Sequence, residues 1–429
     1  MKRLLIFLVG CQVLFSFGNV FGEEITFAPS EDEAGKLTLS LPYGFYNDSF
    51  GLAVAYVYSV LQYPEKQSAL MVTAMVGTKG SAMLFLLGRD IRVLGIDRLF
   101  LDPILSTGYF KDTDAYINGN PQFPDQRAGS NNSDSENFIT GNGWDSYFRL
   151  TFKYLLPIGY GKDHLVNAYR VQKGLLVSGE SGGESWNPIE SGKTFLQLRP
   201  FYRSQQINSD DLDTKQKTNG FDFSLFWDNR DFLPNPSRGE SLQLKVSRDF
   251  GWLDSTNSWT VVGGEMDKYF SLGSTERFRQ RVIALDLWTA NTPTWKAQAD
   301  GTIDNRPPTY AGATLGGLWR MRGFASQRFS DKAAIYYSGE LRLIPDWNPF
   351  LSWPGLQQYV GVQWLQFVPF VEVGRVAPAW NLGTLHSDMK FDAGLGIRLM
   401  AKWLVVRLDM AASNEGGAVQ MMVSQPFQF

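Results

Sequence analysis

The stretch Thr314-Leu-Gly-Gly-Leu-Trp-Arg-Met-Arg-Gly-Phe324 decides how the rest of the chain is read. Adjacent glycines at Gly316 and Gly317 permit tight backbone turns, and Arg322, set among large apolar residues, is placed to seek an anionic partner. Such a segment suits a loop folded back on itself better than one loose in water. A strand-like run, Ile335-Tyr-Tyr-Ser-Gly-Glu-Leu-Arg-Leu343, follows it.

Away from that stretch the chain alternates. In Ser241-Leu-Gln-Leu-Lys-Val-Ser-Arg248, Leu242, Leu244 and Val246 share one face, and Gln243, Lys245 and Ser247 the other. The same period of two runs through 221–225, 395–399 and 404–410, and a strand built this way needs two different solvents. A soluble sandwich offers water and a core; a membrane barrel offers lipid outside and a wet lumen inside. Periodicity alone does not separate the two. A secretory start at Met1-Lys-Arg3, the aromatic load and the terminal Phe429 favour the barrel. Sixteen runs qualify as strands: 50–60, 68–77, 80–90, 95–106, 144–158, 164–178, 193–206, 219–228, 239–250, 258–271, 275–289, 333–344, 358–375, 388–400, 402–412 and 417–428. The number is even, as single-chain bacterial barrels require.

The chain has 429 residues, 14% aromatic, with 42 glycines and a mean hydropathy of -0.19. That is too polar for a helical membrane bundle, and no apolar run of about 18 residues occurs beyond the N-terminus. Met1-Lys-Arg3 followed by an apolar stretch to Gly22 reads as a secretory signal cleaved after Gly22. The lipobox-like Leu8-Val-Gly-Cys11 offers an alternative in which Cys11 is lipidated. On the first reading the single cysteine leaves with the signal, so no thiol chemistry remains. The rest carries 38 basic and 43 acidic residues, a net charge of -5, which argues against a nucleic-acid partner.

In these features the chain resembles the BamA and TamA family of outer-membrane assembly barrels, also called the bacterial surface antigen family. Arg322-Gly323-Phe324 is similar to the tip of that family's long sixth extracellular loop, and the resemblance implies that a loop of about 290–333 enters the barrel lumen. Phe370-Val-Glu-Val-Gly374 is similar to the family's Phe-x-Asp-x-Gly strand, whose carboxylate grips the loop arginine; Glu372 stands here in its place, and Met321 where Val or Leu is commoner. Asp228, Arg230, Pro236 and Gly239 match a family turn, and two prolines with a glycine mark a tight turn on physical grounds as well. Gly394-Leu-Gly-Ile-Arg398 also matches. The closing Val423-Ser-Gln-Pro-Phe427 resembles the terminal barrel signal, with Gln428 and Phe429 following. Family members usually carry POTRA or lipase domains ahead of the barrel, whereas here about two dozen residues precede the first expected strand. Protein partners, periplasmic or in the outer membrane, are therefore expected to supply the POTRA role.

Other motifs carry weaker signals. Gly179-Glu-Ser-Gly-Gly183 fits a nucleophile elbow, but Trp-Asn-Pro-Ile after it makes no helix, and only His164 and His386 exist to serve as base. Asp210, Asp211 and Asp213 read as a solvated loop rather than a cation site. Asp112 and Asp114 lack the glycine and glutamate of a calcium loop. Arg398, Arg407 and Asp409 read as lumen residues, since a lipid-facing arginine at the midplane costs about 2 to 4 kcal/mol.

The expectation is thus an all-β transmembrane antiparallel barrel of about sixteen strands, with a signal at 1–22, a polar lead at 23–45 and the barrel from 46 to 429. It is expected in the outer membrane against lipid and lipopolysaccharide, with no cofactor, metal or enzymatic activity, assisting protein insertion or translocation. The alternative is a structural or partner-scaffold barrel, or a passive pore, that keeps the loop lock. Counting strands back from the loop puts the irregular insertion 111–143 on the periplasmic side.

Overall fold

The computed structural model describes residues 25–26, 37–47, 49–210, 212–299, 302–354, 357, 360–401 and 404–423. The signal-like segment with Cys11, Asp211, and the closing Phe427 and Phe429 lie outside the described residues. Sixteen strands make one barrel: β1 (Leu37–Asn47), β2 (Gly51–Leu61), β3 (Ala69–Gly77), β4 (Ala82–Arg89), β5 (Leu99–Ala115), β6 (Ile139–Leu155), β7 (Lys193–Asn208), β8 (Asp213–Asp228), β9 (Gly239–Phe250), β10 (Ser258–Ser271), β11 (Phe278–Asn291), β12 (Ala333–Pro345), β13 (Val362–Ala377), β14 (Lys390–Ala401), β15 (Leu404–Ser413) and β16 (Gly416–Val423). Each pairs antiparallel with the next. The sheet curls until β1 and β16 lie against each other and the barrel closes.

The two faces settle the choice between sandwich and barrel. On β9, Leu242, Leu244 and Val246 are exposed while Ser241, Ser247 and Asp249 are buried. On β11, Ile283, Leu285 and Leu287 point out, and Val282, Ala284 and Asp286 point in. Asp222, Asp267, Glu340, Arg342, Glu372, Arg398, Arg407 and Asp409 are all buried inside the ring. An apolar exterior around a charged interior inverts the soluble pattern and matches a wall that meets lipid.

The strand number agrees with the expectation, but its membership does not. The run 37–47, most of which falls in the expected lead 23–45, is β1. Pro42 disguised it, because proline cannot donate to a ladder; on a terminal strand that loss is tolerated, and Pro42 sits opposite Tyr56 with its other edge at the seam. The run 164–178 is not a barrel strand. Lys173 and Gly174 both take positive φ, 48° and 75°, and this two-residue turn folds Arg170–Gln172 back on Leu175–Ser178. One strand gained and one lost leave the total unchanged but shift the parity. The insertion therefore lies at the same end as the Arg322 loop, not opposite it: Ser330 N donates to Gly129 O at 2.6 Å, and Arg127 Nη1 to Ser330 O at 2.8 Å.

Both ends of the lumen are filled. At the loop end, Leu315, Met321, Phe324 and Phe329 pack with the inward-facing Trp259, Trp288, Tyr336 and Val376. At the other end, the 170–178 hairpin lies against inward-facing side chains of the wall. Tyr169, Val171 and Phe232 pack there against Ile344, Trp364, Met400 and Val405. Trp364 Nε1 donates to Gly174 O at 3.0 Å, and Arg279 Nη2 to Lys173 O at 2.9 Å.

Candidate functional site

The loop between β11 and β12 closes on itself through a short ladder, Ala313–Leu315 against Phe329–Asp331. Its tip turns at Gly316 and Gly317, with φ of 107° and 103°, values that side chains rarely adopt. A Cβ on Gly316 would stand 2.2 Å from Ala325 O. Across the turn, Gly316 N donates to Arg320 O at 3.0 Å and Gln327 N to Gly316 O at 3.2 Å. The corner that follows delivers Arg322 into the lumen, where 1% of its side chain is exposed.

Arg322 divides its donors among three carboxylates. Nε donates to Glu372 Oε1 at 3.0 Å, Nη1 to Asp409 Oδ2 at 2.8 Å, and Nη2 lies 3.0 Å from Glu340 Oε1. The backbone N of the same residue donates to Glu372 Oε2 at 2.5 Å, and its guanidinium lies 3.6 Å from the Phe370 ring centroid. The strand pattern Phe370-x-Glu372-x-Gly374 becomes intelligible as three residues of one inward face. Phe370 supplies the ring beneath the cation, Glu372 the acceptor, and Gly374 the room, since a Cβ there would be 2.9 Å from Leu315 Cδ1. Tyr336 Oη donates to Glu372 Oε1 at 2.5 Å, so this carboxylate is satisfied on both oxygens.

The neighbouring tip residues are held as tightly. Gly323 N donates to Asp392 Oδ2 at 3.0 Å, Ser413 Oγ to Gly323 O at 2.9 Å, and Gln420 Nε2 to Arg322 O at 3.0 Å. A Cβ on Gly323 would lie 2.7 Å from Asp392 Cβ, which leaves glycine the residue that fits. Phe324 meets Phe329 edge to face at 5.1 Å. Further out, Arg320 pairs with Glu265 at 2.5 Å and Arg328 with Glu415 at 2.7 Å. The loop is thereby tied to β13, β14, β15 and β16 in turn, the four strands that end at the seam.

Sequence reasoning named Glu372 alone as partner of Arg322 and did not reach Glu340, Asp392 or the Arg320–Glu265 pair. Asp409 was read only as a lumen residue. A signal existed for Glu340: it shares parity with Tyr336, Ser338 and Arg342 along β12, and all four are buried. Glu340 also takes Arg398 at 2.7 Å and Arg342 at 2.8 Å, so the cluster is an alternating network rather than one pair. Buried charges of this density persist only when each finds partners.

The remaining motifs fall elsewhere. Ser181 is buried, its Oγ 2.8 Å from Tyr169 Oη and donating to Arg230 O at 3.0 Å; it helps seat the hairpin end. His164 stacks on Tyr160, and His386 Nε2 lies 2.8 Å from Tyr337 Oη, so neither is placed as a base for that serine. Asp112 pairs with Lys79 at 3.0 Å, and Asp114 accepts from Thr140 Oγ1 at 2.6 Å. Among the described residues no group of three or more histidine, cysteine or acidic side chains is placed to hold a metal. Asp228 and Arg230 of the turn motif pair at 2.7 Å.

Residues 190–429 match the Omp85 superfamily domain. Among solved structures, the chain is similar to CdiB from Escherichia coli, at 12% identity and a TM-score of 0.55, over 94% of this chain and 66% of that one. It is also similar to BamA from Haemophilus ducreyi lacking POTRA domains 1-3, at 14% identity and a TM-score of 0.47, over 94% of this chain and 75% of that one. No curated protein matches the chain.

Proposed function

The chain belongs to the Omp85 superfamily, and from that premise we propose that it spans the outer membrane and assists, without chemistry of its own, the insertion, assembly or translocation of outer-membrane proteins. The observation that carries this reading is the coupling of lock and seam. Arg322 and its neighbours bind β13 through β16, and β16 lies against β1. A wall whose last four strands are riveted to one loop, with the junction of first and last strands beside them, can part at that junction for an incoming strand without losing the rest of the barrel. Unpaired strand edges are templates for another chain.

The alternative, a barrel that only conducts or scaffolds, is disfavoured by one specific feature: both lumen ends are filled by packed side chains. The experiment is reconstitution of the full chain into vesicles with unfolded barrel precursors, paired with crosslinked pull-down from native membranes. Faster precursor insertion, abolished by a disulfide joining β1 to β16, supports the proposal. Steady ion conductance with no effect on insertion favours the pore instead.

A further inference from the structure

At the barrel end opposite Arg322, a groove of ≈ 590 Å³ opens on the outer wall between the turn after β10 and the lower half of β12. Leu272, Phe278, Leu341 and Leu343 line it, with Arg277, Arg281 and Glu276 at the same place. Arg281 belongs to the outward row of β11, ahead of the exposed Ile283, Leu285 and Leu287. It is held by the turn, donating through Nη2 to Leu272 O at 2.5 Å and through Nε to Gly273 O at 3.3 Å.

An outward arginine is costly in the hydrocarbon and nearly free at the interface, so its position marks the headgroup level. A second observation marks the same level. Asp346 N donates to Arg277 O at 3.0 Å, which joins this turn to the β12–β13 connection, where Trp347 and Trp353 are 57% and 54% exposed. Exposed tryptophans of this kind belong at the boundary between lipid and water. The groove therefore begins at headgroup height, and its leucine walls run toward the acyl chains.

The chemistry narrows the occupant. Two guanidinium groups suit a phosphate, and a carboxylate beside them suits a cation that donates hydrogen bonds. We propose that Arg277, Arg281 and Glu276 form a headgroup site for a phospholipid carrying both a phosphate and a primary ammonium, a phosphatidylethanolamine, with its acyl chains along Leu341 and Leu343. A glycerol headgroup lacks the cation and a choline headgroup lacks the N–H. The assignment rests on the reading of this chain as a membrane barrel.

The test is native mass spectrometry of the full chain titrated with phosphatidylethanolamine, phosphatidylglycerol and phosphatidylcholine of identical acyl composition. Phosphatidylethanolamine is expected to be retained about fivefold better than either rival, the factor for one added hydrogen-bonded charge contact. Glu276→Gln should erase that preference while leaving phosphatidylglycerol retention unchanged. Arg277→Gln should weaken retention of all three lipids, and because its side chain is exposed it should not disturb folding. The same samples run unheated and boiled on a detergent gel read the barrel independently, since a closed wall migrates faster unheated. A normal gel shift with equal retention of the three lipids, or with both variants indistinguishable from the parent, overturns the site and leaves the barrel standing. Loss of the gel shift in the parent overturns the membrane reading itself.

Discussion

The two ends of the lumen are closed by opposite means. At the loop end, a single guanidinium reaches Glu340, Glu372 and Asp409, and the tip is held by directional, charge-assisted contacts. At the hairpin end, Tyr169, Val171, Phe232 and Trp364 pack as an apolar layer, and backbone carbonyls take the few polar hydrogens. The difference is one of tolerance. An apolar layer loses stability in proportion to what is removed and accepts near-isosteres. A buried ionic cluster does not, because deleting one member leaves the others charged and dehydrated. The loop end therefore works as a lock with one key residue, and the hairpin end as a stopper that loosens by degrees.

The largest expected effect is at the key. Arg322→Ala strands three carboxylates, and removing one partner of a buried pair costs about 3–5 kcal/mol, less where water enters the lumen. The barrel should still fold, while limited proteolysis cuts 316–329 far faster than in the parent. Arg322→Lys should resemble the alanine variant, since one ammonium cannot serve three acceptors in three directions. Unchanged cleavage in both would show that the cluster does not hold the loop.

Glu372→Gln should be milder than Arg322→Ala, because Glu340 and Asp409 remain. The double variant should be close to Arg322→Ala alone, as expected for residues of one network, and strictly additive losses in denaturant melts would separate them. Gly323→Ala comes next. Its Cβ would press on Asp392 Cβ and the Ala412 backbone, and overpacking of this kind costs about 1–3 kcal/mol. The loop should become protease-sensitive while the hairpin stays protected.

Trp364→Phe probes the stopper. It removes the hydrogen bond to Gly174 O and keeps most of the ring, for a loss of about 0.5–1.5 kcal/mol. Cleavage should rise modestly within 170–178 and not at all in 316–329, and equal sensitisation at both ends would mean that the plugs are not independent. The smallest effect concerns salt. Buried pairs are poorly screened, so raising ionic strength from about 0.1 to 1 M should change loop cleavage by less than about twofold. A steep rise would place the cluster in open contact with bulk solvent.

Much of this architecture was legible in the chain itself. Alternation at Leu242, Leu244 and Val246 already required two solvents, and Phe370-x-Glu372-x-Gly374 already put a ring, a carboxylate and a gap on one strand face. Those are local properties: period two tells which residues share a face, whatever the strand's neighbours. Tertiary structure decided what a face meets. Whether 37–47 joins the ring and 164–178 leaves it depends on the pairing of 37–47 with β2 and on a turn at Lys173-Gly174, and the end of the barrel that holds 116–138 follows from both. The convergence of Glu340, Glu372 and Asp409 on Arg322 was equally out of reach, because those carboxylates lie on three separate strands whose inward rows meet only once the sheet has curled and its register is set.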